Sequence, residues 1–257
     1  MNGKKIALVT GASGGLGREF AAILAKDSNI EEIWAIARNR KKLDMLEKKL
    51  GNKIKTFSVD LSDINDIKRF SGQLEESKPD ISYLINNAGY AKFCSYDELN
   101  IDESTNMVNL NVNGVISMGL ICIPYMKKGS HIINISSQAA FQPLPYQNIY
   151  SSTKAFIRNY SRALNVELRD RGISVTAVCP GWMDTDLYNR AEIGARKATN
   201  NFCGMVKPRK VALKALRDAC KGRDMSVYSF YVKLAHFTAK VLPQRAMINL
   251  WMHQQRF

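Results

Sequence analysis

The sequence has no run of about 20 consecutive apolar residues, the length that a membrane-spanning helix requires. It also shows no secretory pattern, because the basic start Met1–Lys5 precedes only a short apolar run, Ile6 to Val9. We therefore expect an intracellular, cytoplasmic protein without a spanning helix.

The cysteines and histidines show neither the spacing of a metal site nor that of a disulfide framework. The five cysteines are scattered and odd in number, a pattern typical of reduced intracellular thiols. The three histidines lack ligand spacing, so the sequence predicts no metal site.

Acidic residues are scarce: 23 Asp and Glu stand against 37 Lys and Arg, which gives a formal net charge of +14. Such an excess attracts anionic partners, among them nucleic acid, anionic lipid and phosphate-bearing cofactors. The basic residues are dispersed and no dense tract is interleaved with aromatics, so nucleic-acid binding is only a minor interpretation.

Repeats, low-complexity tracts and Pro/Gly-rich linkers do not divide the 257 residues, a normal length for one α/β domain. Short apolar runs alternate with segments of helical period. The predicted strands are residues 5–10, 33–37, 54–59, 81–85, 131–135 and 173–178. The predicted helices are residues 16–25, 39–50, 64–74, 103–126, 150–169 and 206–221. This order predicts a single α/β domain with a doubly wound parallel sheet and helices on both faces.

The last part of the chain departs from this alternation. Residues 182–205 are irregular and long enough to form a lid. We place the catalytic domain at 1–225 and an aromatic, basic C-terminal tail at 226–257. Apolar residues at 230, 234, 237 and 241 have helical spacing, which predicts a helix packed on the same domain or on a partner subunit. Peripheral membrane contact through this helix is the alternative.

A glycine-rich turn, Thr10-Gly-Ala-Ser-Gly-Gly-Leu-Gly17, lies between the first predicted strand and the first helix, the context that a phosphate-binding turn requires. Its glycines permit a tight turn, close approach of a pyrophosphate and close helix–strand contact. The helix N-terminus then presents free N–H groups and a positive dipole to the phosphates. The cofactor-binding residues predicted here are Gly11, Ser13, Gly14, Gly15, Leu16 and Gly17.

The second predicted strand ends without the acidic residue that binds the ribose diol of NAD. Arg38-Asn39-Arg40 stands there instead. A guanidinium at this point suits a 2′-phosphate, so the sequence predicts NADP(H) as the cofactor, held through Arg38. The simpler alternative is that Arg38 only starts a solvated helix.

Tyr150 and Lys154 lie four residues apart in a predicted helix, so their side chains share one face. A neighbouring ammonium favours the phenolate and is expected to lower the pKa of Tyr150 from its ordinary value of roughly 10. Such a tyrosine can act as a general acid or base. The spacing alone is common on helix surfaces, and its weight comes from the motifs around it.

Together with further motifs, these features make residues 4–225 resemble a classical short-chain dehydrogenase/reductase with a Rossmann-type fold. Besides the glycine turn, the resemblance rests on Asp60-Leu61, Asn86-Asn87-Ala88-Gly89, Asn111-Val-Asn-Gly114, Ser137 thirteen residues before Tyr150, the Tyr150/Lys154 pair, and Pro180-Gly181 with Thr185. One departure is Gly14, where many NADP-preferring relatives carry a basic residue, so that NADP specificity rests mainly on Arg38. Ser136 adjoins Ser137, and only the spacing selects Ser137.

The resemblance implies a catalytic set of Asn111, Ser137, Tyr150 and Lys154. Tyr150 would exchange a proton with the substrate oxygen, Ser137 would hydrogen-bond that oxygen, and Asn111 would hold a relay water. Lys154 would lower the Tyr150 pKa and hold the nicotinamide ribose. The implied cofactor contacts also include Asp60, Leu61, Asn87, Ala88, Gly89, Tyr150, Lys154, Pro180, Gly181 and Thr185.

The implied reaction interconverts a ketone and a secondary alcohol. Apolar and aromatic candidates for the pocket wall favour a hydrophobic small molecule, such as a steroid or bile acid, a fatty-acyl ketone or a xenobiotic carbonyl, although each residue could equally serve in core or lid packing. The candidates are Phe93, Phe141, Leu144, Tyr146, Trp182, Met183, Leu187, Tyr188 and Met205. The two longest predicted helices match the interfaces of the family, which implies a homodimer or homotetramer. The alternative function is a non-catalytic dinucleotide sensor or interaction protein, although such relatives usually lose the Tyr or the Lys.

Overall fold

Seven parallel strands form one sheet in the computed structural model, which describes residues 3–185, 187, 191, 199 and 201–255. Tyr188 and much of the predicted lid lie outside the described residues. The strands are β1 (Lys5–Thr10), β2 (Glu32–Ala37), β3 (Ile54–Ser58), β4 (Asp80–Asn86), β5 (His131–Ile135), β6 (Ser174–Val178) and β7 (Met225–Ser226). Their order is β3-β2-β1-β4-β5-β6-β7. The predicted doubly wound parallel sheet is confirmed, and β7 is an edge strand that the sequence analysis missed.

Helices cover both faces of the sheet. Those among the described residues are α1 (Gly15–Leu24), α2 (Arg40–Leu50), α3 (Ile64–Ser77), α4 (Ile101–Val108), α5 (Gly114–Cys122), α6 (Asn148–Glu167), α7 (Pro208–Cys220), α8 (Phe230–Val241) and α9 (Gln244–Gln255). Ala7 and Val9 of β1 pack with residues of α1, α2 and α7, whereas Ile6 and Leu8 pack with residues of α3 and α5. Because both faces are buried, the strand reads as one continuous apolar run.

The strand order reverses at β1, which pairs with β2 on one side and β4 on the other. In an open α/β sheet, ligands bind beyond the carboxyl ends of the strands at such a switch point. There Asn87 Nδ2 donates to the carbonyl oxygens of Thr10 at 3.1 Å and Gly11 at 3.2 Å. The Thr10 hydroxyl accepts from the backbone N–H groups of Asn87 at 2.9 Å and Ala88 at 3.0 Å. These bonds lock the glycine turn to the end of β4.

Residues Ile101–Tyr125 form one helical run, in which a π-helical segment, Asn109–Asn113, joins α4 to α5. Within the described part of the chain, this run is long and apolar enough to cross a membrane by length and composition alone. Asparagines interrupt the run, so it contains no unbroken apolar stretch of that length. Its Leu110, Met118 and Cys122 are buried in the core beneath the sheet, as in the core helix of a folded domain.

The C-terminal tail forms two helices, α8 and α9, on either side of Leu242 and Pro243. It packs on the domain through the buried side chains of Val232, Met247 and Trp251. The four apolar residues with helical spacing face solvent instead. Their exposed fractions are 81% for Phe230, 48% for Leu234, 64% for Phe237 and 64% for Val241. The predicted helix exists, but its apolar stripe does not pack on this domain.

Candidate active site

Tyr150 and Lys154 lie near the start of α6, beside the carboxyl end of β5. Lys154 Nζ donates to the carbonyl oxygen of Ile135, the last residue of β5, at 2.9 Å. The ammonium nitrogen lies 5.7 Å from the centroid of the Tyr150 ring, and both side chains are buried. The helical spacing therefore brings the pair together at the end of a central strand.

The two adjacent serines after β5 have different partners. The Ser136 hydroxyl donates to the backbone carbonyl oxygen of Lys154 at 2.7 Å, so it ties the strand end to α6. Ser137 caps a single 3-10 turn by accepting from the N–H of Ala139 at 3.1 Å. Its side chain also hydrogen-bonds Tyr150. The geometry thus favours Ser137 over Ser136 as the serine that works with the phenol.

Burial dominates the ionisation of the catalytic pair. It raises the pKa of Tyr150 to about 12, although the hydrogen bond with Ser137 acts in the opposite direction. Burial also lowers the pKa of Lys154 to about 8, and the nearby Cys179 opposes that shift. The prediction that Lys154 lowers the Tyr150 pKa is wrong for the chain alone, because desolvation of the phenolate outweighs the favourable contacts. At neutral pH the phenol is protonated, which is the state that can donate a proton.

Asn111 is buried in the π-helical segment between α4 and α5, a kind of helix that is frequent at functional sites. Its Nδ2 donates to the Tyr90 carbonyl oxygen at 2.9 Å and to Thr153 Oγ1 at 3.2 Å, while its Oδ1 accepts from the Tyr90 N–H at 3.1 Å. A Cβ on Gly89 would stand 2.8 Å from this Oδ1 and 3.5 Å from Lys154 Nζ. Gly89 therefore keeps open the narrow space in which the predicted relay water would sit.

A cavity of about 610 Å³ extends from the glycine turn to Tyr150. The predicted site residues that line it are Gly11, Ser13, Gly14, Gly15, Leu16, Arg38, Leu61, Asn87, Ala88, Gly89, Ser137, Tyr150, Lys154, Pro180, Gly181 and Thr185. Gly17, Asp60 and Asn111 are not among the lining residues. Within the described ranges, no cluster of three His, Cys, Asp or Glu side chains could hold a metal ion.

The glycine turn keeps its backbone open toward this cavity. Gly11 and Gly15 have φ angles of 62° and 49°, in the left-handed region that favours glycine. Gly14 is the N-cap of α1, and a Cβ there would meet nothing within 4 Å. Because Gly14 provides no capping side chain, the first N–H groups of α1 can bind an anion. The turn therefore fits the pyrophosphate of a dinucleotide.

Gly17→Ala is expected to lower the free energy of unfolding by about 2–3 kcal/mol, because the added methyl overpacks a site that cannot relax. The new Cβ would clash with the Gly11 carbonyl oxygen and stand 2.5 Å from Asn87 Nδ2, both of which belong to the locked turn. Gly14→Ala is the matched control and should cost less than about 1 kcal/mol. Urea unfolding of both variants measures the difference, and equal losses would contradict the packing argument.

Arg38, directly after β2, marks the other end of the cavity. Its Nη1 lies 3.4 Å from Asp60 Oδ2, yet more than half of the guanidinium side chain is exposed. Burial raises the pKa of Asp60, but hydrogen bonds from Ser62 and the charge of Arg38 outweigh it, so the pKa is lowered overall. Lys42 also lines the cavity, one turn beyond Arg38, and was missed in the sequence analysis. Two cations at this end suit a phosphate group.

Apolar side chains surround the Tyr150 end. Phe93 packs edge-on against the Tyr150 ring at 5.8 Å and against Trp182 at 6.1 Å. Of the predicted pocket residues, those that line the cavity are Leu144, Trp182, Met183 and Leu187. Three others lie elsewhere: Phe141 stacks on His236 with ring centroids 4.3 Å apart, Met205 lines a neighbouring cavity, and Tyr146 stands with a φ of 63° just before α6.

Trp251 of α9 is a wall residue that the sequence analysis missed. It is buried against the cavity, and its indole Nε1 donates to the Pro145 carbonyl oxygen at 3.1 Å. Gln138 and Gln147 line the same cavity. No local sequence signal links residues 106 positions apart, so only the packed chain reveals this contact. The tail is therefore part of the site.

A family model described as short chain dehydrogenase matches residues 5–195 of the chain. An uncharacterized oxidoreductase of Staphylococcus epidermidis is 29% identical over 196 residues, which cover 76% of this chain and 84% of that protein. A very-long-chain 3-oxoacyl-CoA reductase of Neurospora crassa is 36% identical over 183 residues, 67% of this chain and 54% of that protein. Among solved structures, a short-chain dehydrogenase from Sphingobium yanoikuyae in complex with NADPH has a TM-score of 0.79 at 25% identity, covering 95% of each chain.

Proposed function

The chain belongs to the short-chain dehydrogenase family and is an oxidoreductase of the nicotinamide-dependent kind, and from its site we propose that it interconverts a ketone and a secondary alcohol with NADP(H). One observation carries the proposal. Ser137, Tyr150 and Lys154 line one end of a cavity whose other end carries the glycine turn and Arg38. A non-catalytic sensor does not require a buried ammonium, whose desolvation destabilises the folded chain.

The residues divide the chemistry as follows. A bound NADP(H) supplies the hydride transfer. Tyr150 would deliver a proton to the ketone oxygen during reduction and accept it during oxidation. Ser137, which hydrogen-bonds the phenol, would donate to the same oxygen and stabilise the charge that develops there. Lys154, with a pKa of about 8, is mostly charged at neutral pH and adds a positive potential beside the phenol.

The apolar wall beyond Tyr150 supports a hydrophobic substrate, either a steroid or bile acid, a fatty-acyl ketone or a xenobiotic carbonyl. We favour the fatty-acyl class. The relative named as a very-long-chain 3-oxoacyl-CoA reductase supports it. The net charge of +14 does so as well, because an acyl-CoA thioester carries several phosphates.

A carbonyl panel tests this proposal. 3-Oxoacyl thioesters, steroid ketones and aromatic ketones are each mixed with NADPH or NADH, and consumption of the cofactor is followed by absorbance. We expect turnover of at least one ketone class, faster with NADPH. The corresponding secondary alcohols are tested with NADP+ or NAD+. If NADPH binds and neither a ketone nor an alcohol of the panel is turned over, the proposal is wrong and the dinucleotide sensor is favoured.

Arg38→Gln is expected to lower kcat/KM for NADPH by about 10- to 100-fold, because a charged hydrogen bond to the 2′-phosphate is lost. The value for NADH should stay within about threefold, since NADH lacks that phosphate. Arg40→Gln is the matched control, because Arg40 pairs with Asp44 on the outer side of α2 at 2.8 Å. An equal fall with both cofactors would show that Arg38 acts on the fold and not on the phosphate.

We also propose that the chain assembles as a homodimer or homotetramer through its long helices. Leu120 of α5 and Phe156 and Val166 of α6 are large apolar residues exposed on these helices. Exposed apolar residues on neighbouring helices support a self-complementary interface. Light scattering measures the assembly, and a monomeric mass at micromolar concentration would contradict it.

A further inference from the structure

Helix α8 carries an apolar stripe that faces away from the domain. Phe230, Leu234, Phe237 and Val241 stand at positions i, i+4, i+7 and i+11, which places them along one face of the helix. Val232, the buried residue of α8, lies on the opposite side. A helix of a soluble domain normally turns such a stripe toward its core. Here the tail stripe, as we call these four residues, is exposed and needs another apolar environment.

The charges around the tail stripe have one sign. From Met225 to Phe257 the sequence contains no Asp or Glu, whereas it contains four Lys or Arg residues. Two of them, Lys233 and Lys240, are seven residues apart on α8 and exposed, so they flank the stripe along one side. An apolar stripe bordered by cations complements an anionic lipid surface, where acyl chains lie beneath phosphates. The net charge of +14 adds a long-range attraction to the same surface.

The same charges argue against a second copy of this chain as the partner that covers the tail stripe. A two-fold interface places the same patch of both copies face to face, so Lys233 and Lys240 would be brought close to the equivalent cations of the second copy. No acidic side chain in the tail could neutralise them. Like charges brought together oppose association.

We propose that α8 lies on the surface of an anionic membrane, with the tail stripe among the acyl chains and Lys233 and Lys240 against lipid phosphates. The contact is peripheral and leaves the sheet outside the bilayer. It does not depend on which substrate the enzyme takes. Trp251 of α9, the other helix of the tail, lines the catalytic cavity, so the tail takes part in both the membrane contact and the cavity wall.

Vesicle flotation of the full chain tests the proposal. Binding should be at least about tenfold stronger to phosphatidylcholine vesicles that contain phosphatidylglycerol than to phosphatidylcholine alone, and salt should weaken it. Phe230→Ser combined with Phe237→Ser should lower partitioning at least about tenfold. Tyr96→Ser combined with Ile101→Ser is the matched control, because these side chains are 80% and 83% exposed outside the tail. The control should bind as the wild type does.

Charge is tested separately from apolar contact. Lys233→Glu with Lys240→Glu should abolish the preference for anionic vesicles, whereas Lys68→Glu with Lys128→Glu, which changes the net charge equally, should retain most of it. Thermal unfolding verifies that every variant is folded. The proposal is overturned if the wild type binds neither vesicle, or if tail and control variants lose binding equally. It is also overturned if the Phe230/Phe237 variant dissociates an oligomer without any vesicle binding, which would make the stripe a self-interface.

Discussion

Tyr150→Phe is expected to lower kcat by about 1,000-fold or more while the Kd for NADPH stays within about threefold of the wild-type value. The substitution removes only the hydroxyl, which is the proton donor in the proposed reaction. The aromatic ring, packed edge-on against Phe93, stays in place and continues to fill the wall of the cavity. Chemistry should therefore be lost without loss of the fold or of the cofactor site.

Three measurements separate these effects: steady-state turnover, an NADPH fluorescence titration and thermal unfolding. Tyr160→Phe is the matched control, since it removes a phenol hydroxyl from the same helix and is not among the residues lining the cavity. Its kcat should remain within about twofold of the wild-type value. Turnover by Tyr150→Phe within tenfold of the wild-type rate would show that Tyr150 is not the proton donor.

The fold could be predicted because its signals are local and repeated. Each buried parallel strand is a short apolar run, and each covering helix has an apolar period of its own. The predicted ends of six strands therefore agree with the structure to within one or two residues. The seventh, Met225–Ser226, has only two residues and therefore no period to detect. It pairs with β6 and contacts α7 through the Ser226 hydroxyl, which donates to Asp218 Oδ2 at 2.6 Å, and no local pattern encodes either contact.

The site was predictable to the extent that strand ends and helix spacing determine it. The turn after β1, Asn87 after β4 and Ser137 after β5 meet because carboxyl ends of parallel strands share one edge. The position of Trp251 was not predictable, because it depends on how a distant helix returns to the domain. The direction of the Tyr150 pKa was also missed, since helical spacing shows a neighbouring charge but not the degree of burial.

Lys154→Met is expected to lower kcat by about 100-fold or more and yet to raise the free energy of unfolding by about 1–2 kcal/mol. Activity falls because the cation beside the phenol is removed. Stability rises because burial disfavours the ammonium, and the shift of its pKa from 10.5 to about 8 corresponds to about 3 kcal/mol. Part of that gain is lost, since the Ile135 carbonyl oxygen loses its donor.

The pH dependence of stability tests the sign of this argument. Between pH 8 and 10.5 the unfolded chain holds a proton on Lys154 that the folded chain has released. Stability rises with pH wherever the unfolded state binds more protons, so the ammonium penalty is complete below pH 8 and fades above it. Tyr150, whose pKa is raised from 10.0, opposes this trend only above pH 10.

The advantage of Lys154→Met over the wild type should therefore be largest at neutral pH and shrink toward pH 10, as urea unfolding at both values would measure. Lys154→Arg is the control, because its guanidinium stays charged at both pH values. Its free energy of unfolding should therefore be lower than that of the wild type. The difference should grow toward pH 10, where the wild type has lost the penalty of its buried ammonium. An advantage of Lys154→Met that does not change with pH would mean that the folded and unfolded chains release the Lys154 proton at the same pH, so that burial does not lower the pKa of this lysine. In that case the buried ammonium carries no desolvation penalty, and the gain in stability expected for Lys154→Met loses its cause.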